Sequence, residues 1–313
     1  MANISILAAF ERMWQHITVA LNNKADKSAV EPAIAYAEEM KYSARKGDTA
    51  FSTLISGYQS TVSGMYSTAI GAYIIADSMA QTVLGKYNVQ YGGSGSLLDT
   101  TGSVFIVGNG TDDDSRSNAF RITHAGRCMG TATFLATGAD YAEYYEWIDG
   151  NPDNEDRRGC FVTLDGTKIR KATTEDDYIL GVISSTPAVI GNGYTDMWKD
   201  MYLTDVFGER LTEIVEVEET TDENGNVIPA HTETRFIINP EYDHTQKYIG
   251  RDQRKEWAAV GTHGQLVVID DGTCEVNAYC RVANDGTATK ADGKTEYRVT
   301  ERLDDTHIRI TIK

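Results

Sequence analysis

The N-terminal part of the chain alternates apolar and polar positions with the period of an amphipathic α-helix. Within residues 3–21, the apolar positions follow at steps of four, three and four: Ile6, Phe10, Met13 and Ile17. Residues 30–46 repeat this period with a thinner apolar stripe. Because short isolated helices are marginal in water, we expect residues 1–46 to self-associate as a helical bundle. Two helices that fold back on each other are the alternative.

Residues 51–91 contain an internal repeat with a period of 14. The period is marked by three glycines, each with an apolar residue two positions before it: Gly57, Gly71 and Gly85 after Ile55, Ala69 and Val83. Glycines at a fixed interval, with short β-prone runs between them, predict a β-solenoid with a tight corner at each glycine. Three copies are the minimum for stacking to bury a core. A low-complexity linker rich in Ser, Gly and Tyr is the alternative.

The rest of the chain shows the two-residue alternation of β-strands. Strands are predicted at 104–107, 119–122 and 131–134, with Gly/Asn/Asp-rich turns between them. From residue 140 onward, strand patterns and Asp-Gly or Asn-Gly turns continue almost without a helical pattern. We therefore predict a mainly β protein with three parts: a helical segment (1–46), a β-solenoid and β shaft (47–139) and a β-rich domain (140–313).

The net charge of the chain also changes at residue 140, where the predicted β-rich domain begins. The 29 Lys and Arg and 46 Asp and Glu give a net charge of −17. Residues 1–139 carry 10 basic and 11 acidic side chains, a net of −1, and residues 140–313 carry the remaining 19 and 35, a net of −16. An acidic chain does not favour nucleic-acid binding, which needs clustered Lys and Arg. No apolar run is long enough to span a membrane, and the first residues lack the features of a secretion signal, so we expect synthesis in a cytoplasm.

The boundary itself is an acidic and aromatic segment, residues 137–147, with three carboxylates among four aromatic side chains. Taken alone, it fits a half-buried strand between two domains. Further motifs follow it, at 149–152, 161–166, 177–182, 187–192 and 270–274. With these motifs, residues 140–313 resemble, along nearly their whole length, a C-terminal domain of phage tail spikes and neck appendages. The segment from Ser63 to Gly71 is similar to the head repeats of trimeric autotransporter adhesins.

The resemblance to the phage domain implies an intramolecular chaperone of the glutamic-peptidase type. Members of that family trimerise, help a β-rich shaft to fold and then cut themselves off. The resemblance places the cut between Ala139 and Asp140. Some relatives carry Ser before the cut, where this chain has Ala139, so a mechanism that used this hydroxyl as nucleophile would fail here.

The carboxylates beside this bond are candidates for the chemistry. Hydrolysis of a peptide bond needs an activated water and a proton for the leaving amine, and two close carboxylates can divide that work. Asp140 and Glu143 share a face on a helical turn but point to opposite faces on a flat strand. Either the chain bends here, or the second carboxylate comes from a neighbouring subunit. We assign Glu143 as general base and Asp140 as its partner, with the reverse assignment left open.

The sequence predicts no cofactor and no metal site, because its four cysteines and six histidines lack metal-ligand spacing. We expect a homotrimer in the virion tail, attached by its N-terminus to other tail or baseplate proteins and free of nucleic acid and membrane. A host-surface glycan or protein is a further candidate partner. An uncut, trimeric receptor-binding tip for host attachment is the alternative function. A trimeric surface adhesin is a third, weakened by the missing signal peptide and membrane anchor.

Overall fold

The computed structural model describes most of the chain: residues 45–46, 54–91, 102–221, 227–228 and 230–313. The predicted helical segment 1–46 lies outside these residues, except that Arg45–Lys46 form a short strand, so the second helix does not reach residue 46. The chain forms two compact units. One comprises the described residues up to 133 together with 212–236, and the other comprises 134–211 and 237–313. The predicted boundaries at 46/47 and 139/140 stay predictions.

The expectation of a mainly β protein is confirmed in the described residues, whose only regular helical elements are short 3-10 turns. The first unit begins with these strands: β1 (Arg45–Lys46), β2 (Leu54–Tyr58), β3 (Thr61–Val62), β4 (Thr68–Ala72), β5 (Ile75–Ala76), β6 (Thr82–Lys86), β7 (Ser103–Asn109), β8 (Asn118–Thr123) and β9 (Cys128–Gly130). It also includes two further strand pairs: β15 (Thr212–Val217) with β18 (His231–Phe236), and β16 (Thr220–Thr221) with β17 (Val227–Ile228). The strand predicted at 131–134 is wrong: this segment is irregular, and its Phe134 is 73% exposed.

Strands β2, β4, β6 and β7 lie parallel and in register, so that repeat positions stack on one another. The apolar residue of each repeat is buried in a common core: Ile55, Ala69, Val83 and Ile106. Gly57, Gly71 and Gly85 stack in turn and have positive φ angles. A Cβ on Gly57 would lie 1.8 Å from the carbonyl oxygen of Gly71. Glycine is therefore required where the stacked backbones come closest.

The second unit is built on one ten-stranded sheet. Its strands are β10 (Asp140–Glu146), β11 (Phe161–Asp165), β12 (Lys168–Lys171), β13 (Gly181–Ile183), β14 (Val189–Gly191), β19 (Trp257–Ile269), β20 (Tyr279–Val282), β21 (Ala288–Lys290), β22 (Tyr297–Arg302) and β23 (His307–Ile312). The 3-10 turns are Arg251–Gln253 and Asn284–Gly286. The long strand β19 joins the sheet together, since it pairs with β10 and β13 through its first half and with β23 through its second half.

Both faces of this sheet are covered by apolar side chains. The adjacent residues Phe161 and Val162 of β11 are fully buried and belong to different clusters, as alternation along a strand requires. The first cluster includes Leu266 and the inward side chains of β22 and β23. The second is centred on Trp147 and packs against Tyr145 of β10. Strand β10, which carries the candidate carboxylates, is thereby fixed within a folded sheet.

Candidate functional site

The bond predicted to be cut, between Ala139 and Asp140, lies at the start of β10 and is held from both sides by backbone hydrogen bonds. The carbonyl oxygen of Ala139 accepts a hydrogen bond from the N–H of Gln265 on β19, at 3.1 Å. The carbonyl oxygen of Asp140 accepts one from the N–H of Ala188, at 2.8 Å. A Cβ on Gly138 would lie 2.4 Å from the carbonyl oxygen of Thr186. The small residues before the bond thus let a neighbouring segment approach closely.

The Asp140 side chain is buried: only 5% of the residue is exposed. Its Oδ2 atom has no hydrogen-bond partner among the described residues. Gly261 of β19 makes room for this carboxyl group, since a Cβ there would lie 2.7 Å from Oδ2 and 2.4 Å from a methyl carbon of Leu266. Burial raises the pKa of Asp140 above its ordinary value, and a hydrogen bond with Ser184 acts in the opposite direction. The carboxyl group therefore retains its proton to a higher pH than an exposed aspartate does.

Glu143 has a different environment. Its Oε1 accepts a hydrogen bond from the Tyr141 hydroxyl at 2.9 Å, and its Oε2 accepts one from the Tyr145 hydroxyl at 3.4 Å. The hydrogen bond to Glu143 raises the pKa of Tyr141, which keeps that hydroxyl protonated and donating. Gly191 of β14 lies opposite, where a Cβ would be 2.8 Å from the Tyr141 hydroxyl oxygen. Two tyrosines thus orient a partly exposed carboxylate.

The structure does not bring Asp140 and Glu143 together within one chain. Both residues belong to the uninterrupted strand β10, in which neighbouring side chains alternate between the two faces. Asp140 points toward Gly261 and Leu266, whereas Glu143 shares the other face with Tyr141 and Tyr145. A register shift does occur between Tyr141 and Ala142, but the extra residue lies on β19. The bend that would pair the two carboxylates in one chain is absent from β10.

A cleft of about 510 Å³ opens beside the Ala139–Asp140 bond. Besides the residues around that bond, polar groups line it from four other segments: Arg158, Ser184, Thr186, Gln265, His307 and Arg309. Sequence reasoning did not assign any of these to the site. The run of hydroxyl residues directly after β13 was the available signal for Ser184 and Thr186. No sequence signal indicates Gln265, because its contact with Ala139 is made by the backbone.

Within the described residues, no group of three or more His, Cys, Asp or Glu side chains is placed to hold a metal ion. This part of the chain also contains no helix that is long and apolar enough to cross a membrane.

Comparison with known proteins relates this geometry to a family. Residues 82–305 match the family Peptidase_G2, described as the IMC autoproteolytic cleavage domain. The pre-neck appendage protein of Bacillus phage B103 is 34% identical over 207 residues, which cover 66% of this chain and 21% of that protein. The preneck appendage protein of Bacillus phage PZA is 36% identical over 160 residues, which cover 50% of this chain and 17% of that protein. The chain thus spans about a fifth of the length of these relatives.

A solved structure shows the same fold. The crystal structure of the pre-mature gene product 12 of bacteriophage phi29 matches with a TM-score of 0.61 at 23% identity, over 83% of this chain and 31% of that one. The match to the autoproteolytic family extends over well more than half of the present chain, from the end of the glycine repeat nearly to the last strand. The chain belongs to the Peptidase_G2 family of IMC autoproteolytic cleavage domains.

Proposed function

We propose that this chain is part of a phage neck appendage or tail fibre and that residues 140–313 form its self-cleaving intramolecular chaperone. The chaperone assists trimeric folding of the preceding shaft and separates from it by hydrolysis between Ala139 and Asp140. Membership of the autoproteolytic family and similarity to phage appendage proteins support this function. The chain then resides in the virion, joined to other tail or baseplate proteins through its N-terminal segment.

The observation that carries the proposal is the buried carboxyl group of Asp140. It belongs to the residue whose nitrogen is the leaving amine, and its pKa is raised by burial. A protonated carboxyl group next to that nitrogen is suited to act as general acid, because the amine must gain a proton as the C–N bond breaks. Glu143, oriented by two tyrosine hydroxyls, then takes the complementary role of general base toward the attacking water.

We assign Glu143 to the bond of a neighbouring subunit. Its position on the opposite face of β10 from Asp140 supports this assignment, since one chain alone cannot place both carboxylates on one bond. On the adjoining strand β14, Val189 is the register partner of Tyr141 and is 57% exposed, and a subunit packed over this face would cover it. Cleavage in trans makes the cut wait for assembly.

We also assign residues 47–139 as the β-solenoid shaft of a homotrimer. The parallel strands in register and their buried repeat positions support the solenoid. Tyr58 and Ile70 of this ladder are 52% and 45% exposed, and neighbouring chains would cover them. The mass of the protein in solution tests the assembly, and a stable monomer in dilute buffer would contradict it. A host-surface glycan or protein is a further candidate partner of the protein.

The decisive experiment is a denaturing gel of freshly expressed protein, followed by N-terminal sequencing of any C-terminal fragment. We expect pieces of 139 and 174 residues, the second beginning Asp140-Tyr141-Ala142. Glu143→Gln keeps the size of the side chain and removes the charge, so this variant is expected to stay whole and to assemble. Wild-type trimers that remain whole after long incubation would contradict the cleavage and favour an uncut receptor-binding tip.

Complementation between two inactive variants tests cleavage in trans. Glu143→Gln chains and Asp140→Asn chains, distinguished by tags, are unfolded together and refolded into mixed trimers. If Glu143 acts on a neighbour, the Glu143→Gln chains are cut, because an Asp140→Asn neighbour supplies the intact glutamate. The Asp140→Asn chains stay whole. If mixed trimers yield no fragment of either tagged chain, both carboxylates must come from one chain.

A further inference from the structure

We propose that the backbone N–H of Gln265 stabilises the oxyanion formed during cleavage, and that Gly264 lets it approach the scissile carbonyl group. This inference rests on the proposed cleavage between Ala139 and Asp140. The catalytic group is a backbone N–H of β19, so the pattern of side chains along the sequence does not indicate it.

The Gln265 N–H donates its hydrogen bond directly to the atom that becomes negative during the reaction. The carbonyl oxygen of Ala139 belongs to the bond to be cut, and the nitrogen of Gln265 lies 3.1 Å from it. This distance falls within the range of donors that stabilise an oxyanion. The neighbouring hydrogen bond, from Ala188, reaches the carbonyl oxygen of Asp140, which keeps its bonds during the reaction. Of these two backbone donors, only Gln265 contacts an atom whose charge changes.

The local backbone of β19 is shaped for this contact. Gly264 lies opposite Asp140 in the register and has a φ angle of +107°, which side chains rarely adopt. A Cβ at this position would lie 2.2 Å from the carbonyl oxygen of Ala139 and 2.9 Å from Cα of Asp140. The register shift just before it leaves Thr262 without a partner on β10. Irregular backbone of this kind often re-aims groups near active sites.

The bond changes balance with water as the only co-reactant. The oxygen of water attacks the carbonyl carbon of Ala139 and gives a proton to the general base. The π electron pair of the carbonyl group moves to its oxygen, which becomes negative while the Gln265 N–H donates to it. The pair then returns, the C–N bond breaks, and the nitrogen of Asp140 leaves with a proton from the general acid. The products are a carboxyl group on Ala139 and an amine on Asp140.

A hydrogen bond between two strands also exists in the resting state, so catalysis requires more than its presence. Its contribution to rate is the amount by which it strengthens when the acceptor becomes an anion. The donor is already aimed at the oxygen, on a strand fixed by pairing on both sides, so little reorganisation accompanies the reaction. Removal of one such donor in other acyl-transfer enzymes slows the chemical step about 100-fold to 1,000-fold.

The test removes the N–H at position 265 and compares two proteins that carry the same leucine side chain there. Leucic acid, the α-hydroxy analogue of leucine, is introduced at position 265 of the full chain, so that an ester oxygen replaces the amide, and Gln265→Leu with a normal amide is its reference. The matched control places the same ester at position 269, against Ile269→Leu. That N–H lies on the same strand and donates to the Gly159 carbonyl oxygen at 3.0 Å. Cleavage rate and melting temperature are measured for all four proteins.

We expect both esters to lower the melting temperature to a similar degree, and the ester at 265 alone to slow cleavage by about 100-fold or more. Equal cleavage rates for the ester and the amide at 265 would overturn the inference. Equal slowing by both esters would also overturn it, since the hydrogen bond would then act only by holding the strand. A parent chain that assembles but is not cut at this bond would refute the proposed function, and this inference with it.

Gly264→Ala supplies an independent test if the esters fold poorly. Its control is Gly272→Ala, since Gly272 has a similar φ angle of +88° but a Cβ there would meet its nearest atom only at 3.9 Å. Both variants carry the backbone strain, whereas only the first displaces the Ala139 carbonyl group. Folded Gly264→Ala trimers should be cut much more slowly than Gly272→Ala trimers. Equal rates would overturn the role given to Gly264.

Discussion

The burial of Asp140 predicts a pH dependence of stability with a sign opposite to that of most carboxylates. The folded state holds this carboxyl group with a raised pKa, so it binds the proton more tightly than the unfolded chain does. Between the unfolded pKa, near 3.9, and the raised folded value, the folded state carries the extra proton. Stability from this group is therefore fully present below the unfolded pKa and is lost as the pH rises toward the folded pKa.

The size of the effect is bounded by linkage. A single proton changes the free energy of unfolding by at most about 1.4 kcal/mol for each pH unit. From pH 4 to pH 6 the contribution of Asp140 can thus reach no more than roughly 3 kcal/mol. The 5% exposure of the residue and the unpartnered Oδ2 set the sign of the contribution, and the opposing hydrogen bond with Ser184 keeps its size below that bound.

The assay uses chains that cannot cut themselves. Glu143→Gln and the double variant Asp140→Asn, Glu143→Gln are unfolded in guanidinium at several pH values and one fixed protein concentration. The difference in unfolding free energy between them isolates Asp140, and we expect it to shift in favour of the Asn variant as the pH rises. A difference that is constant with pH, or one that shifts toward the Asp chain, would refute the burial argument.

Three further substitutions test packing, backbone and orientation. Gly71→Ala places a Cβ 1.8 Å from a stacked carbonyl oxygen and should abolish a cooperative melt of the first unit, whereas Gly126→Ala, at positive φ in open space, should cost about 1–3 kcal/mol. Phe161→Ala, fully buried, should lower the free energy of unfolding by about 3–5 kcal/mol, and Phe207→Ala, 88% exposed, by less than about 0.5 kcal/mol in chemical denaturation. Tyr141→Phe removes a hydroxyl that orients the base and should slow cleavage about tenfold on gels, with an unchanged melting temperature.

The repeat shows how far local pattern determines structure. The spacing of Gly57, Gly71 and Gly85 predicts the register of the parallel strands correctly. When repeats of equal length stack, equivalent positions pair with one another. Ile106 joins the same buried row, but its strand follows after a longer interval, so the period of 14 could not find it. The strand predicted at 131–134 failed because its alternating side chains have no sheet to bury them: Phe134 is largely exposed.

The site was predictable only in part, for a related reason. A short motif identifies Asp140 and Glu143 as candidates, and side-chain alternation predicts that on a strand they point to opposite faces. The environment of Asp140 depends on Gly261 and Leu266, and the contact to Ala139 depends on Gln265, more than 120 residues along the chain. Pairing between strands so far apart is set by the whole sheet. No pattern within a short stretch of the sequence predicts this pairing.

The division of the site between two subunits, as proposed, also explains why self-cleavage can follow folding without a separate switch. A newly made chain holds its Asp140 in place on one face of β10 and its Glu143 on the other, so it lacks a complete site until a neighbour packs against it. Once the bond is cut, each released piece carries a net charge of −16, against −1 for residues 1–139. Like charges on adjacent released pieces repel one another, which favours their dispersal over a return to the shaft. Assembly would thus complete the site, and cleavage would make the assembled shaft permanent.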